Sequence, residues 1–170
     1  DTVAADKRGI GFVGLASLRS AKALSVSDDN TSALLPTQLS VATEDYPLAR
    51  RLHLYTVPSE KSAAVTAFLD FVHGEAGQDI VERVGFVSQN PLASSNKKDR
   101  QGPAAYLSLT ENAKRLSLNF RFHPHSAKLD NKARQDIKRL TGYLAQQGPE
   151  QRILLIGFGD EKQSPRRAHV

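Results

Sequence analysis

The chain has no cysteine, no methionine and no tryptophan in 170 residues. Without thiols it cannot form disulfides, hold zinc or an iron–sulfur cluster through cysteine, or use a thiol nucleophile. That composition suits a compartment where stray thiols are a liability, and it also fits many cytosolic proteins. No run approaches the roughly 18 apolar residues a membrane-spanning helix needs, so no membrane span is expected. The opening residues carry no basic segment followed by an apolar one, so a secretory signal is not expected either. A start at Asp1 and the lack of methionine read as a mature or truncated piece. What is present is ordinary globular material: 39% hydrophobic and 24% charged residues, room for one large or two small domains.

Charge is unevenly placed. Residues 1–96 hold 8 Lys and Arg against 11 Asp and Glu, a balance of −3; residues 97–170 hold 15 against 7, a balance of +8. The split suggests two segments with different electrostatic roles. A basic segment can meet nucleic acid or another anionic polymer, or simply be a solvated face.

Ile10-Gly-Phe-Val-Gly14 reads as a short buried strand and Asp28–Ser32 as a turn. Tyr46-Pro47 forces extended backbone, and Leu52–Val57 reads as a strand. Ser59 is a candidate N-cap for a helix over about Glu60–Val84, whose Val65, Phe68, Leu69, Val72, Ala76, Ile80 and Val84 share one face. Gly74 and Gly77 each cost about 1 kcal/mol relative to alanine, which predicts a break into two shorter helices, and Gly85 is a natural stop. Residues 93–104 are charged and rich in Ser, Gly and Pro, as linkers are, and the charge balance turns there. Beyond them Leu118, Phe120 and Phe122 alternate with Asn119 and Arg121. Asp130 or Asn131 can cap a helix whose Ala133, Ile137, Leu140 and Leu144 form a narrow stripe, ended by Gly148-Pro149. Ile153–Ile156 is a continuous apolar run of the buried-strand kind. The predicted order is a strand, a helix and a second strand running into Gly157-Phe-Gly-Asp160.

Phe120-Arg-Phe122, Ser126-Ala-Lys-Leu129 and Gly157-Phe-Gly-Asp160 make the second half resemble the OmpA-like, peptidoglycan-binding domain. The resemblance implies that Asp160 contacts the ammonium of a diaminopimelate side chain in the wall peptide, a charge-assisted contact of about 1.5–3 kcal/mol. Here His123 stands where the family has an aspartate, and Phe158-Gly159 replace its His-Thr. Arg166 and Arg167 precede the position of the family's binding arginine. The first half resembles the C-terminal portion of periplasmic phosphate-binding proteins, the PstS-like substrate-binding subunits of phosphate ABC transporters. The matching residues are Arg8–Val13, Tyr46–Tyr55, Ala67–Val72, Gly77–Val81 and Val84–Val87. In that family Tyr-Pro-Leu marks the crossing from one lobe back to the other. The family's phosphate ligands lie mostly earlier, so none is carried over to this chain.

The expected fold is therefore α/β: the end of a two-lobed periplasmic binding protein over residues 1–92, a linker at 93–104, and a β-α-β OmpA-like unit over 105–170, both units incomplete. The expected function is capture of phosphate or a similar oxyanion by hinge closure, near or tethered to the cell wall in the periplasm. An ABC permease and its ATPase are the expected transport partners, and strand exchange between chains would cover open sheet edges. No cofactor, catalytic residue, metal site or nucleic-acid partner is expected. The alternative is a basic adaptor that binds an anionic polymer or nucleic acid through residues 97–170. His123-Pro-His125 lacks a third metal ligand, His53 reads as the outward side of a strand, and Glu44-Asp45 reads as a solvated hinge rather than an acid pair. No phosphate-loop, nucleophile-elbow or dinucleotide fingerprint occurs, so the chain is read as a non-enzyme.

Overall fold

A computed structural model of the chain describes residues 2–28, 31–57, 59, 62–95, 102–122 and 126–157. The order of elements is α1 (Thr2–Ala5), a 3-10 turn (Leu15–Ser17), α2 (Gln38–Ala42), α3 (Ala63–His73), α4 (Glu75–Arg83), β1 (Ala93–Ser94), α5 (Ala104–Leu109), β2 (Arg115–Leu116) and α6 (Asn131–Ala145). The described residues are thus mainly helical, with one two-stranded antiparallel sheet, β1 against β2.

The long helix expected over 60–84 is two helices, broken at Gly74. Gly74 takes extended backbone (φ −78°, ψ 166°) and so serves as both the C-cap of α3 and the N-cap of α4. Gly77 is there for a second reason. It is buried where α4 folds back on α3, and a Cβ at this position would lie 2.2 Å from the Phe71 carbonyl oxygen. Buried Gln78 ties the pair together: its Nε2 donates to the Val72 carbonyl (2.8 Å) and its Oε1 accepts from the Gln89 amide (2.7 Å). Gly85 ends α4 with φ +89°, a left-handed conformation glycine adopts without penalty, and its amide donates to the Glu82 carbonyl. The helix begins later than expected. Ser62, not Ser59, precedes its first turn.

Helix α6 forms where its apolar spacing and its cap predict. Asp130 is the N-cap, its carboxylate accepting the Ala133 amide at 2.7 Å. The helix ends at Ala145, before Gly148-Pro149. Its flanks correct the β-α-β expectation. Residues 118–121 run as irregular backbone, with Phe122 bridged to Leu129, and Gln151–Gly157 are exposed, with no ladder partner among the described residues. Ile10–Gly14 is likewise not a strand but an exposed lead into the 3-10 turn, and Leu52–Val57 has no ladder partner among the described residues. Tyr55, 90% exposed, stands for that whole segment. The physical reason is common to all four. Alternation marks a segment able to join a sheet, but a strand needs a neighbour along its length to share its backbone hydrogen bonds, and among the described residues these segments have none beyond the single Phe122–Leu129 bridge.

Residues 93–104, which read as a linker, contribute Ala93–Ser94 to the sheet, and the Ser117 hydroxyl and amide bond the Leu92 backbone at 2.8 and 2.9 Å. The apolar content is little buried. Ala133 is the buried apolar residue among those described, alongside buried Thr43, Gln78, Ser88, Thr110, Ser117 and Asp136. Polar contacts therefore position much of the chain.

Candidate functional site

The densest arrangement of charged groups surrounds the turn between α2 and the extended segment that begins near Arg51. Helix α2 is short but firmly started: Thr37 Oγ1 accepts the Ser40 amide (3.1 Å) and Ser40 Oγ accepts the Thr37 amide (2.9 Å), a reciprocal capping box. At its other end Thr43 is buried, its hydroxyl within 2.9 Å of both the Leu39 carbonyl and Asp45 Oδ2. Glu44 follows with φ +60°, the left-handed position that closes helix α2, its amide donating to the Val41 carbonyl (3.1 Å) and the Asp45 amide to the Ser40 carbonyl (2.9 Å).

Side chains then hold the Glu44 carboxylate and the carbonyls of this helix end. Arg51 grips the Glu44 carboxylate with two donors, Nε on Oε1 and Nη2 on Oε2, the latter at 2.9 Å. Arg121 Nη2 donates to the Glu44 carbonyl (3.0 Å) and the Thr43 carbonyl (3.3 Å), with Nε 3.5 Å from Glu44 Oε2. Asn119 Nδ2 adds a second donor to the Thr43 carbonyl at 3.2 Å. Asp45 pairs separately with Arg115 Nη2 at 2.6 Å. Arg51 Nη2 also reaches Asp130 Oδ2 at 3.3 Å, the same side chain that caps α6. Glu44 and Asp45 are thus not a solvated hinge. Each carboxylate is held by arginines, and two of those arginines lie far along the chain.

The electrostatics follow the geometry. The hydrogen bond from Arg51 holds the Glu44 carboxyl below the usual range, aided by Lys132 and Arg121, against the opposing effect of burial. The Ala133 amide does most to hold Asp130 low, with Arg51 and Lys132 assisting. Arg51 is in turn held more firmly protonated, chiefly by Glu44. One turn into α6, Asp136 is wholly buried between Lys132 Nζ (2.5 Å) and Arg139 Nη1 (2.8 Å). The buried Nε of Arg139 has no hydrogen-bond acceptor among the described residues.

Glu44, Arg51, Lys132 and Asp136 line a cleft of about 1330 Å³ together with residues from 3–24, 72–89 and the exposed segment around Leu52–Leu54. The lining is largely apolar, and its charged groups also include Lys7, Lys22 and Arg50. Such an arrangement can hold segments together or receive a partner's charge. Among the described residues, no group of three His, Asp or Glu is placed to hold a metal, and no helix is long and apolar enough to cross a membrane.

The sequence-predicted site residue Asp160 lies outside the described residues, as do His123, His125, Phe158, Arg166 and Arg167. His53 is exposed, its ring 6.2 Å from that of Tyr55. Sequence reasoning missed the grouping of Arg51, Arg115, Arg121 and Asp130. One signal for it was on the page: an acidic first part and a basic second part are complementary as well as different, and their charges meet at 43–51.

Comparison with known proteins gives one informative likeness. A stretch of 78 residues is 30% identical to the phosphate-binding protein PstS of Borreliella burgdorferi (strain B31). The match takes in 46% of this chain and only 28% of that protein's length. No protein-family model matches the chain, and no solved structure matches it.

Proposed function

We propose that this chain is part of a non-enzymatic, phosphate-type substrate-binding protein that serves an ABC permease outside the cytoplasm. The observation that carries the reading is the 78-residue likeness to PstS. The ordered set Arg8–Val13, Tyr46–Tyr55, Ala67–Val72, Gly77–Val81 and Val84–Val87 supports it. Residues 1–92 would supply a lobe-to-lobe crossing at Tyr46-Pro47-Leu48 and the α3–α4 pair that follows it. In this reading the anion's ligands are not among these residues. Backbone amides and hydroxyls elsewhere in the binding protein would hold it, and hinge closure would enclose it.

Residues 105–170 would be an OmpA-like unit that keeps the binding module near peptidoglycan in the periplasm, with Asp160 as the contact to the wall peptide. The Phe120-Arg-Phe122 and Ser126–Leu129 sequence patterns and the Asp130-capped helix α6 support that reading, while the two strands that would flank α6 are not formed among the described residues. Removing the Asp160 carboxylate would cost a charge-assisted contact of about 1.5–3 kcal/mol, roughly ten- to a hundredfold in affinity. Co-sedimentation with purified peptidoglycan is the test. Asp160→Ala should weaken pelleting, and unchanged pelleting would remove Asp160 from the contact. For the anion, the protein captured from osmotic-shock fluid by antibody to this chain should retain radiolabelled orthophosphate in the presence of excess sulfate. The isolated 170-residue chain should show no tight orthophosphate binding by calorimetry. A captured protein that retains no phosphate would overturn the reading.

A further inference from the structure

We propose that Arg51 is a clasp that couples the 43–51 turn to the first turn of helix α6, so that the two segments order and loosen together. The inference rests on the geometry alone and not on the phosphate reading. The two segments are about eighty residues apart in sequence, and what joins them is polar. Arg51 spends two donors on Glu44 and shares Nη2 with Asp130. Asp130 in turn is the residue whose carboxylate holds the Ala133 amide and so starts α6. Arg121 closes the arrangement from the second segment, donating to the Glu44 and Thr43 carbonyls.

Two further features mark this as a device rather than incidental surface pairing. Glu44 closes helix α2 at φ +60°, its amide donating to the Val41 carbonyl and the Asp45 amide to the Ser40 carbonyl, and Arg121 grips the carbonyls of this helix end from the second segment. Among the described residues the named elements that pack closely on one another are α3 with α4 and β1 with β2, and α6 is not among them. An association made of partly exposed ion pairs is weakened by salt and by loss of a single charge, whereas an apolar interface is not.

The cap and the ion pair on Asp130 can be separated. Serine caps helices about as well as aspartate but carries no charge. Amide hydrogen exchange at Ala133 and Arg134 therefore reads the clasp directly. Arg51→Gln should speed exchange at these amides about two- to tenfold, as expected for coupling of this strength. In an Asp130→Ser background the same substitution should change their exchange little. Raising salt to 0.5 M, about a 4 Å screening length, should reproduce the Arg51→Gln effect in the unmodified chain. Equal effects of Arg51→Gln in both backgrounds, or none in either, would overturn the coupling.

Discussion

Asp136 offers the sharpest perturbation of the folded chain. Its carboxylate is fully buried, with Lys132 Nζ at 2.5 Å and Arg139 Nη1 at 2.8 Å, and both cations are themselves nearly buried. Asp136→Ala leaves two positive charges side by side with no counter-charge. Removing one partner of a buried pair typically costs about 3–5 kcal/mol. Lysine and arginine can lift their charged ends toward water on long apolar stems, which lowers the expected cost here to about 2–4 kcal/mol. Replacing all three residues, Lys132→Met with Asp136→Leu and Arg139→Met, removes every desolvated charge and the unsatisfied Arg139 Nε together. That triple variant should therefore lie within about 1 kcal/mol of the parent, because the cost of a buried pair is carried by the charges left behind. Urea denaturation followed by far-ultraviolet circular dichroism measures both. A cost below about 0.5 kcal/mol for Asp136→Ala, or a triple variant less stable than the single one, would refute this account of the triad.

Other outcomes follow from the same structure. Glu44 and Asp130 have carboxyl groups held below their ordinary values, so their contribution to stability is complete above about pH 4.5 and is lost as the pH falls through their depressed native values. The urea midpoint should fall across that acid window, and Glu44→Gln should flatten the fall. Gly77→Ala would push a Cβ against the Phe71 carbonyl and should destabilise by about 1–3 kcal/mol. Gly142→Ala, in the open face of α6 with nothing within 4 Å, should stabilise by roughly 0.5–1 kcal/mol. Thermal melts of the two glycine variants should move in opposite directions.

The helices were legible in the sequence because a helix satisfies its backbone within its own span. The three- and four-residue spacing from Val65 to Val84, the cost of Gly74 and the capping oxygen of Asp130 are all local, and α3, α4 and α6 form accordingly. Leu52–Val57 and Ile153–Ile156 carry equally clear apolar patterns, yet a strand depends on a neighbour that the pattern does not name. Ala93–Ser94 shows the converse: two unremarkable residues in a polar stretch become a strand because Arg115–Leu116 lies alongside. The site was hidden for a related reason. Glu44-Asp45 reads as solvated when only its near neighbours are considered, and the arginines that hold it include Arg115 and Arg121, some seventy residues onward. The opposed charge balances of the two parts pointed to the meeting, but not to the residues that make it.

Retention of orthophosphate by the native protein tests the central claim most directly. Protein captured from osmotic-shock fluid with antibody to this chain should carry radiolabelled phosphate in one-to-one proportion, undiminished by a large excess of sulfate. Recovery of the protein only from the cytoplasmic fraction, or recovery without bound phosphate, would contradict it.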